Sequence, residues 1–187
     1  MNEEKLIEKI PAGFTTKLQV LHGDITKLGV GAIVNAANEN LGGGKGVDGA
    51  IHVAAGPELL IECQRIGGCK TGEAVITKGY HLLSEHVIHT VSPKYGSENG
   101  NEDELLGSCY QACLSLAFEH NIRSIAFPNL STGPYRYPKE EAAEIAFSSV
   151  WQWLQSHQYY SFEKIIFVSF TEEDYDLNVF FFNQAEF

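Results

Sequence analysis

Short runs rich in Val, Ile and Phe alternate with helix-like stretches along the whole sequence, and this alternation restricts the fold more than any other feature. Lys17 to His22, Gly31 to Ala36, Ala74 to Lys78, His86 to Val91, Ser124 to Phe127 and Lys164 to Phe170 read as strands. Between them lie helical segments. Val47 to Ala55 is one, and Pro57 to Ile66 is another, with Pro in the first turn and Gly67-Gly68 as its stop. Asn101 to about His120 opens with Glu102, Asp103 and Glu104, which suit the positive end of a helix dipole. Lys139 to His157 follows Pro138, and Val179 to Asn183, with three consecutive phenylalanines, reads as a final helix packed by its apolar side on the sheet. Alternation of this kind specifies an α/β domain, helices covering both faces of a mixed, mostly parallel sheet of six or seven strands. With no internal repeat and no Pro/Ser-rich linker, residues 1–187 are expected to form one domain.

Charge narrows the partners. Thirteen basic residues against 24 acidic ones give a net charge of −11. Gripping bare nucleic acid by counterion release needs a basic face, so nucleic acid is not an expected partner. An anionic ligand must be held by something other than a lysine and arginine patch. No apolar run reaches the length of a membrane span, and Met1 to Lys5 has no signal-peptide pattern, so no membrane partner and a cytoplasmic location are expected. Cys63, Cys69, Cys109 and Cys113 are spaced C-x5-C and C-x3-C, which fits buried free thiols rather than structural zinc; no metal and no cofactor are expected.

Two loops carry the chemistry. The first, Leu41 to Gly49, contains the densest glycine cluster and joins a strand to a helix. Backbone N–H groups at such a junction converge on a phosphate without needing basic side chains. Gly44-x-Gly46-x-x-Gly49 satisfies the dinucleotide fingerprint literally, but seven residues separate it from the strand at Ala36, and a helix rather than a strand follows. A nicotinamide-dependent oxidoreductase is therefore a poor reading. A P-loop fails because Gly46, not Ser or Thr, follows Lys45. Asp48 and His52 stand four apart on one helix face, and an acid beside an anion-binding loop makes sense if it orients or deprotonates water. The second loop, Pro128 to Pro138, offers Ser131, Thr132 and Gly133 for phosphate and Tyr135 for stacking. Ser131 lacks the G-x-S-x-G elbow of a serine hydrolase.

Gly23-Asp24-Ile25-Thr26, Asn35-Ala36-Ala37-Asn38, Gly46-Val47-Asp48-Gly49-Ala50-Ile51-His52, Ala54-Ala55-Gly56-Pro57 and Ser131 to Pro138 together resemble the macrodomain family, in its MacroD-type branch. The resemblance spans about residues 17–170, in the family's order. It implies a three-layer α/β/α sandwich that binds ADP-ribose and hydrolyses the ester linkage of mono-ADP-ribosylated Asp or Glu on proteins and of O-acetyl-ADP-ribose. The alternative is a reader module that binds ADP-ribose without cleaving it. The resemblance further implies that Asp24 and Ile25 seat adenine and that Gly43, Gly44, Lys45, Gly46 and Val47 grip the diphosphate together with Ser131, Thr132, Gly133, Pro134, Tyr135 and Arg136. By the same resemblance Asn38 holds the distal ribose, Asp48 is catalytic with His52 in support, and Phe170 walls the adenine. Lys45 stands where the branch usually has a glycine, and so does Arg136.

Overall fold

The computed structural model describes residues 5–187; Met1 to Glu4, where a leader pattern was sought, lie outside the described residues. Seven strands, β1 (Lys5–Lys9), β2 (Lys17–His22), β3 (Ala32–Ala36), β4 (Ala74–Lys78), β5 (His86–Thr90), β6 (Ser124–Pro128) and β7 (Lys164–Ser169), form one sheet in the order β1-β2-β7-β6-β3-β5-β4. The inner pairings are parallel, while β1 and β4 lie antiparallel at the two edges. Five helices cover it: α1 (Gly46–Ala55), α2 (Pro57–Ile66), α3 (Glu102–Glu119), α4 (Lys139–Ser156) and α5 (Glu172–Gln184).

The inner strands are apolar on both faces, as burial between two helical layers requires. In β7, Ile165 and Phe167 face the α3, α4 and α5 side, whereas Ile166 and Val168 face the α1 and α2 side. β3 follows the same period of two, with Val34 on the first side and Ile33 on the second. Cys63 and Cys69 belong to the α1 and α2 core, Cys109 and Cys113 to the opposite one, and all four are buried free thiols. Burial pushes the thiols of Cys63 and Cys109 up to about 11, so they remain protonated at neutral pH. Among the described residues no helix is long and apolar enough to cross a membrane.

Helix ends follow local chemistry. Pro57 occupies the first position of α2, and Gly67 closes it in the left-handed conformation with φ of 88°. The expected tail helix is longer than Val179 to Asn183. It begins at Glu172, where the Thr171 hydroxyl accepts a hydrogen bond from the Asp174 N–H at 3.2 Å and three acids occupy the first turn. Its Tyr175 and Phe182 pack into the core, while Phe180 stays exposed.

Candidate functional site

The carboxyl ends of β2, β3, β6 and β7 open onto a cleft of about 660 Å³, within the usual range for a small-molecule site. Each end contributes a loop: Gly23 to Thr26 after β2, Ala36 to Asn38 and Lys45 to Val47 after β3, Asn129 to Tyr135 after β6, and Phe170 after β7. Of the residues expected from sequence, Asp24, Ile25, Asn38, Lys45, Gly46, Val47, Asp48, Ser131, Thr132, Gly133, Pro134, Tyr135 and Phe170 line this cleft. Gly43, Gly44, His52 and Arg136 do not.

The glycine loop is shaped for its amides. The Asn38 carboxamide clamps it from below, Nδ2 donating to the Gly43 carbonyl at 2.9 Å and Oδ1 accepting from the Gly42 N–H at 3.1 Å. That leaves Asn38 one N–H for a ligand. Helix α1 starts at Gly46 without a side-chain cap, which leaves its first N–H groups without partners among the described residues, and Gly46, Val47 and Asp48 line the cleft. Gly43 rests over the His52 ring, and Gly44 over Asp48, where a Cβ would come within 2.9 Å of Oδ2. These two glycines shape the loop from behind.

The second loop closes on itself. The Arg136 N–H donates to Gly133 O at 2.9 Å, and the Tyr137 N–H to Ser131 O at 3.0 Å. Among the described residues the N–H groups of Thr132, Gly133 and Tyr135 have no acceptor. Ser131 has a buried hydroxyl that donates to Pro93 O at 2.8 Å, so it anchors the loop and is not poised as a nucleophile. Arg136 adopts φ of 56° in this tight turn and is exposed outside the cleft. Lys139 takes its place in the lining, an inside cation that sequence reasoning read only as a helix start. It pairs with Asp174 at 2.7 Å and Glu173 at 3.2 Å. The cleft thus carries Lys45 and Lys139 against Asp24, Asp48 and Asp174, and it is not a basic pocket.

At the far end, Phe170 is 78% exposed although it directly follows a buried strand. In the same lining, Asp24 Oδ1 caps the short turn Ile25–Lys27 by accepting from the N–H of Thr26 at 2.9 Å and its hydroxyl at 2.7 Å. Oδ2 keeps its lone pairs for a ligand.

Asp48 lies in the first turn of α1 and is only 5% exposed. Its firm partner is Asn35 on β3, whose Nδ2 donates to Oδ1 at 2.8 Å. His52 Nε2 stands at 3.5 Å from the same oxygen and has no other partner among the described residues, a weaker contact than the expected support. Asn35 and its neighbour His89 on β5 are site residues that sequence reasoning did not single out. For Asn35 the signal was a polar residue inside an otherwise apolar strand; β5, which reads His-Val-Ile-His-Thr, gives His89 no such signal. His52, Cys63 and His89 approach one another closely enough for a metal. Both His89 nitrogens are already engaged, however, Nδ1 by Asn35 at 3.1 Å and Nε2 by Thr77 at 3.0 Å, so the trio does not suit an ion.

Fold and cleft together define an α/β/α domain whose cleft, at the carboxyl ends of the inner strands, is lined by two strand-to-helix loops and one buried carboxylate, Asp48. The macro domain family model matches residues 34–146, and the chain belongs to that family. It is 48% identical over 165 residues to O-acetyl-ADP-ribose deacetylase 1 of Pantoea vagans, covering 86% of this chain and 95% of that protein. It is 49% identical over 170 residues to human ADP-ribose glycohydrolase MACROD2, covering 90% of this chain and 40% of that longer protein. The Oceanobacillus iheyensis macrodomain solved with ADP superposes with a TM-score of 0.91 at 38% identity, covering 98% of this chain and 100% of that one.

Proposed function

We propose that the protein binds ADP-ribose in this cleft and hydrolyses esters of its distal ribose, both those of Asp or Glu side chains on modified proteins and O-acetyl-ADP-ribose. The observation that carries the reading is Asp48: a buried carboxylate held by Asn35 at the amide-rich start of α1, lining the same cleft as Tyr135 and Phe170. A pure binding site gains nothing from a fixed negative charge beside a diphosphate, because like charges repel.

In the proposed cycle the adenine stacks on Phe170 and donates its amino group to Asp24 Oδ2. The diphosphate lies between the N–H groups of Lys45 to Val47 and those of Thr132, Gly133 and Tyr135. The remaining N–H of Asn38 and the Tyr135 ring hold the distal ribose. Asp48 takes a proton from a water molecule, whose oxygen bonds to the ester carbonyl carbon. The acyl–oxygen bond breaks, the ribose oxygen takes up the proton, and the products are ADP-ribose and a free carboxylic acid, which ionises. General-base assistance of this kind contributes about 10²- to 10⁴-fold, and fixing the ester beside the water contributes through orientation. The buried free thiols suit a reducing compartment, which supports a cytosolic place of action.

The test is incubation with O-acetyl-ADP-ribose and with a peptide mono-ADP-ribosylated on Glu, with calorimetric titration of ADP-ribose alongside. Release of acetate and free ADP-ribose is expected. Tight binding without release identifies a reader, and absence of binding removes the proposal altogether.

A further inference from the structure

We propose that His89 is a positioning residue: acting through the Asn35 carboxamide, it fixes the rotamer in which Asp48 faces the cleft. The proposal rests on the reading of Asp48 as the group that activates water. Strand register brings the two residues together, since Asn35 on β3 pairs directly with His89 on β5. Both share the parity of Ile33 and Val87, which face α1 and α2. Asn35 and His89 are each 0% exposed, and Thr77 on β4 is 2% exposed.

The proton positions follow from counting. Asn35 Nδ2 carries two hydrogens and has two close neighbours, Asp48 Oδ1 at 2.8 Å and His89 Nδ1 at 3.1 Å. An ionised carboxylate only accepts, and Nδ1 must accept as well, so the His89 proton sits on Nε2. There it donates to Thr77 Oγ1 at 3.0 Å, and the Thr77 hydroxyl donates onward to the Lys78 carbonyl at 3.2 Å. The Val87 carbonyl at 3.4 Å is a second acceptor for that hydroxyl, so every donor in this chain is satisfied, and the chain ends on the one carboxylate at the start of α1.

Asn35 Oδ1 is what makes His89 necessary. It is buried with no partner among the described residues, so the oxygen does not hold the carboxamide in place. Only its two donated bonds do. With the His89 acceptor gone, the amide keeps a single anchor and gains by turning its oxygen towards any donor, which swings Nδ2 off Asp48. The titratable groups around the His89 ring are His52, Cys63 and Asp48. His52 has its ring centroid 6.3 Å away, and Cys63 Sγ lies 3.8 Å from Nε2. Burial first, and His52 second, lower the His89 pKa to about 3, so the ring stays neutral and its single tautomer is kept.

Nitrogen-15 NMR of the imidazole rings in the full wild-type chain tests the arrangement directly. His89 is expected as the neutral Nε2–H tautomer throughout pH 5 to 8; an Nδ1–H tautomer, or titration in that range, overturns the proposal. His89→Phe keeps a ring but no acceptor. It is expected to lower kcat roughly 10- to 100-fold, the scale of a misplaced catalytic group, with the Kd for ADP-ribose within about threefold. His89→Gln supplies an acceptor and a donor again and is expected to recover most of the lost kcat. Equal kcat in wild type and His89→Phe overturns the positioning role, and so does a loss that Gln does not rescue. Should His89→Phe not fold, His89→Leu likewise removes the acceptor from Asn35, and a kcat equal to that of wild type in it overturns the positioning role. A wild-type protein that turns over no ester refutes the proposed function instead, while the tautomer still decides the relay.

Discussion

Gly49→Ala is an unusual glycine substitution, because helix propensity and packing predict opposite signs for it. Gly49 sits inside α1, where exchanging Gly for Ala ordinarily stabilises by about 1 kcal/mol. A Cβ at this position, however, would lie 2.4 Å from the Gly44 carbonyl oxygen and 3.3 Å from its carbon. Ordinary non-bonded contact is roughly 3.5 Å, so the glycine loop must retreat by about 1 Å. Overpacking costs about 1–3 kcal/mol, which leaves a net destabilisation of about 1 kcal/mol, or about 2–4 °C in Tm for a chain of this size. The retreat would also carry the loop amides off the position proposed for the diphosphate. Losing one hydrogen bond to a charged group costs about 1.5–3 kcal/mol, so the affinity for ADP-ribose falls roughly 10- to 100-fold. Calorimetric titration together with thermal unfolding reads both effects. Gly29→Ala, in a loop where a Cβ meets nothing within 4 Å among the described residues, is the control for a methyl added without a clash. A raised Tm with unchanged affinity in Gly49→Ala would refute the claim that this glycine sets the loop against the helix.

Three further outcomes follow from the same geometry. Phe170→Ala should weaken ADP-ribose binding about 2- to 12-fold, from an aromatic stacking loss of about 0.5–1.5 kcal/mol, with Tm unchanged because the ring is exposed; equal affinity would take adenine away from this wall. His89 is held neutral in the fold with a pKa of about 3 but protonates near 6.5 when unfolded. Its folded pKa is depressed, so its contribution is present above 6.5 and is lost as pH falls towards 3, and the urea midpoint of His89→Gln should fall less between pH 6.5 and 4 than that of wild type. Cys63, Cys109 and Cys113, buried with raised pKa values, should resist alkylation at pH 7.5 until the chain unfolds; rapid labelling of the native protein would contradict their place in the core.

What the sequence makes legible depends on whether the signal is local. The six inner and edge strands read from β-branched runs are present, and the strand-to-helix loops fall on the rim where such sheets bind ligands. The seventh, β1, was within the expected count but had no assigned residues. Its sequence Lys-Leu-Ile-Glu-Lys has no apolar run, because an edge strand is kept charged against further pairing. Asp48 was legible from its place after the glycines. Asn35 was visible only as part of a motif, and His89, 54 positions away, becomes its partner only through strand register. No sequence pattern encodes that Arg136 adopts a left-handed φ of 56° and lies outside the cleft while Lys139, at the start of α4, lines it.

Asp48, buried beside the glycine loop, is the residue on which the proposed ester hydrolysis depends. Asp48→Asn keeps the side-chain volume and an oxygen for Asn35 but removes the base. Paired measurement of kcat on a Glu-linked mono-ADP-ribosylated peptide and of Kd for ADP-ribose tests it most directly. The predicted result is a fall in kcat of at least about 100-fold, with ADP-ribose bound as tightly as in wild type or more so. Turnover at the wild-type rate in Asp48→Asn would contradict it.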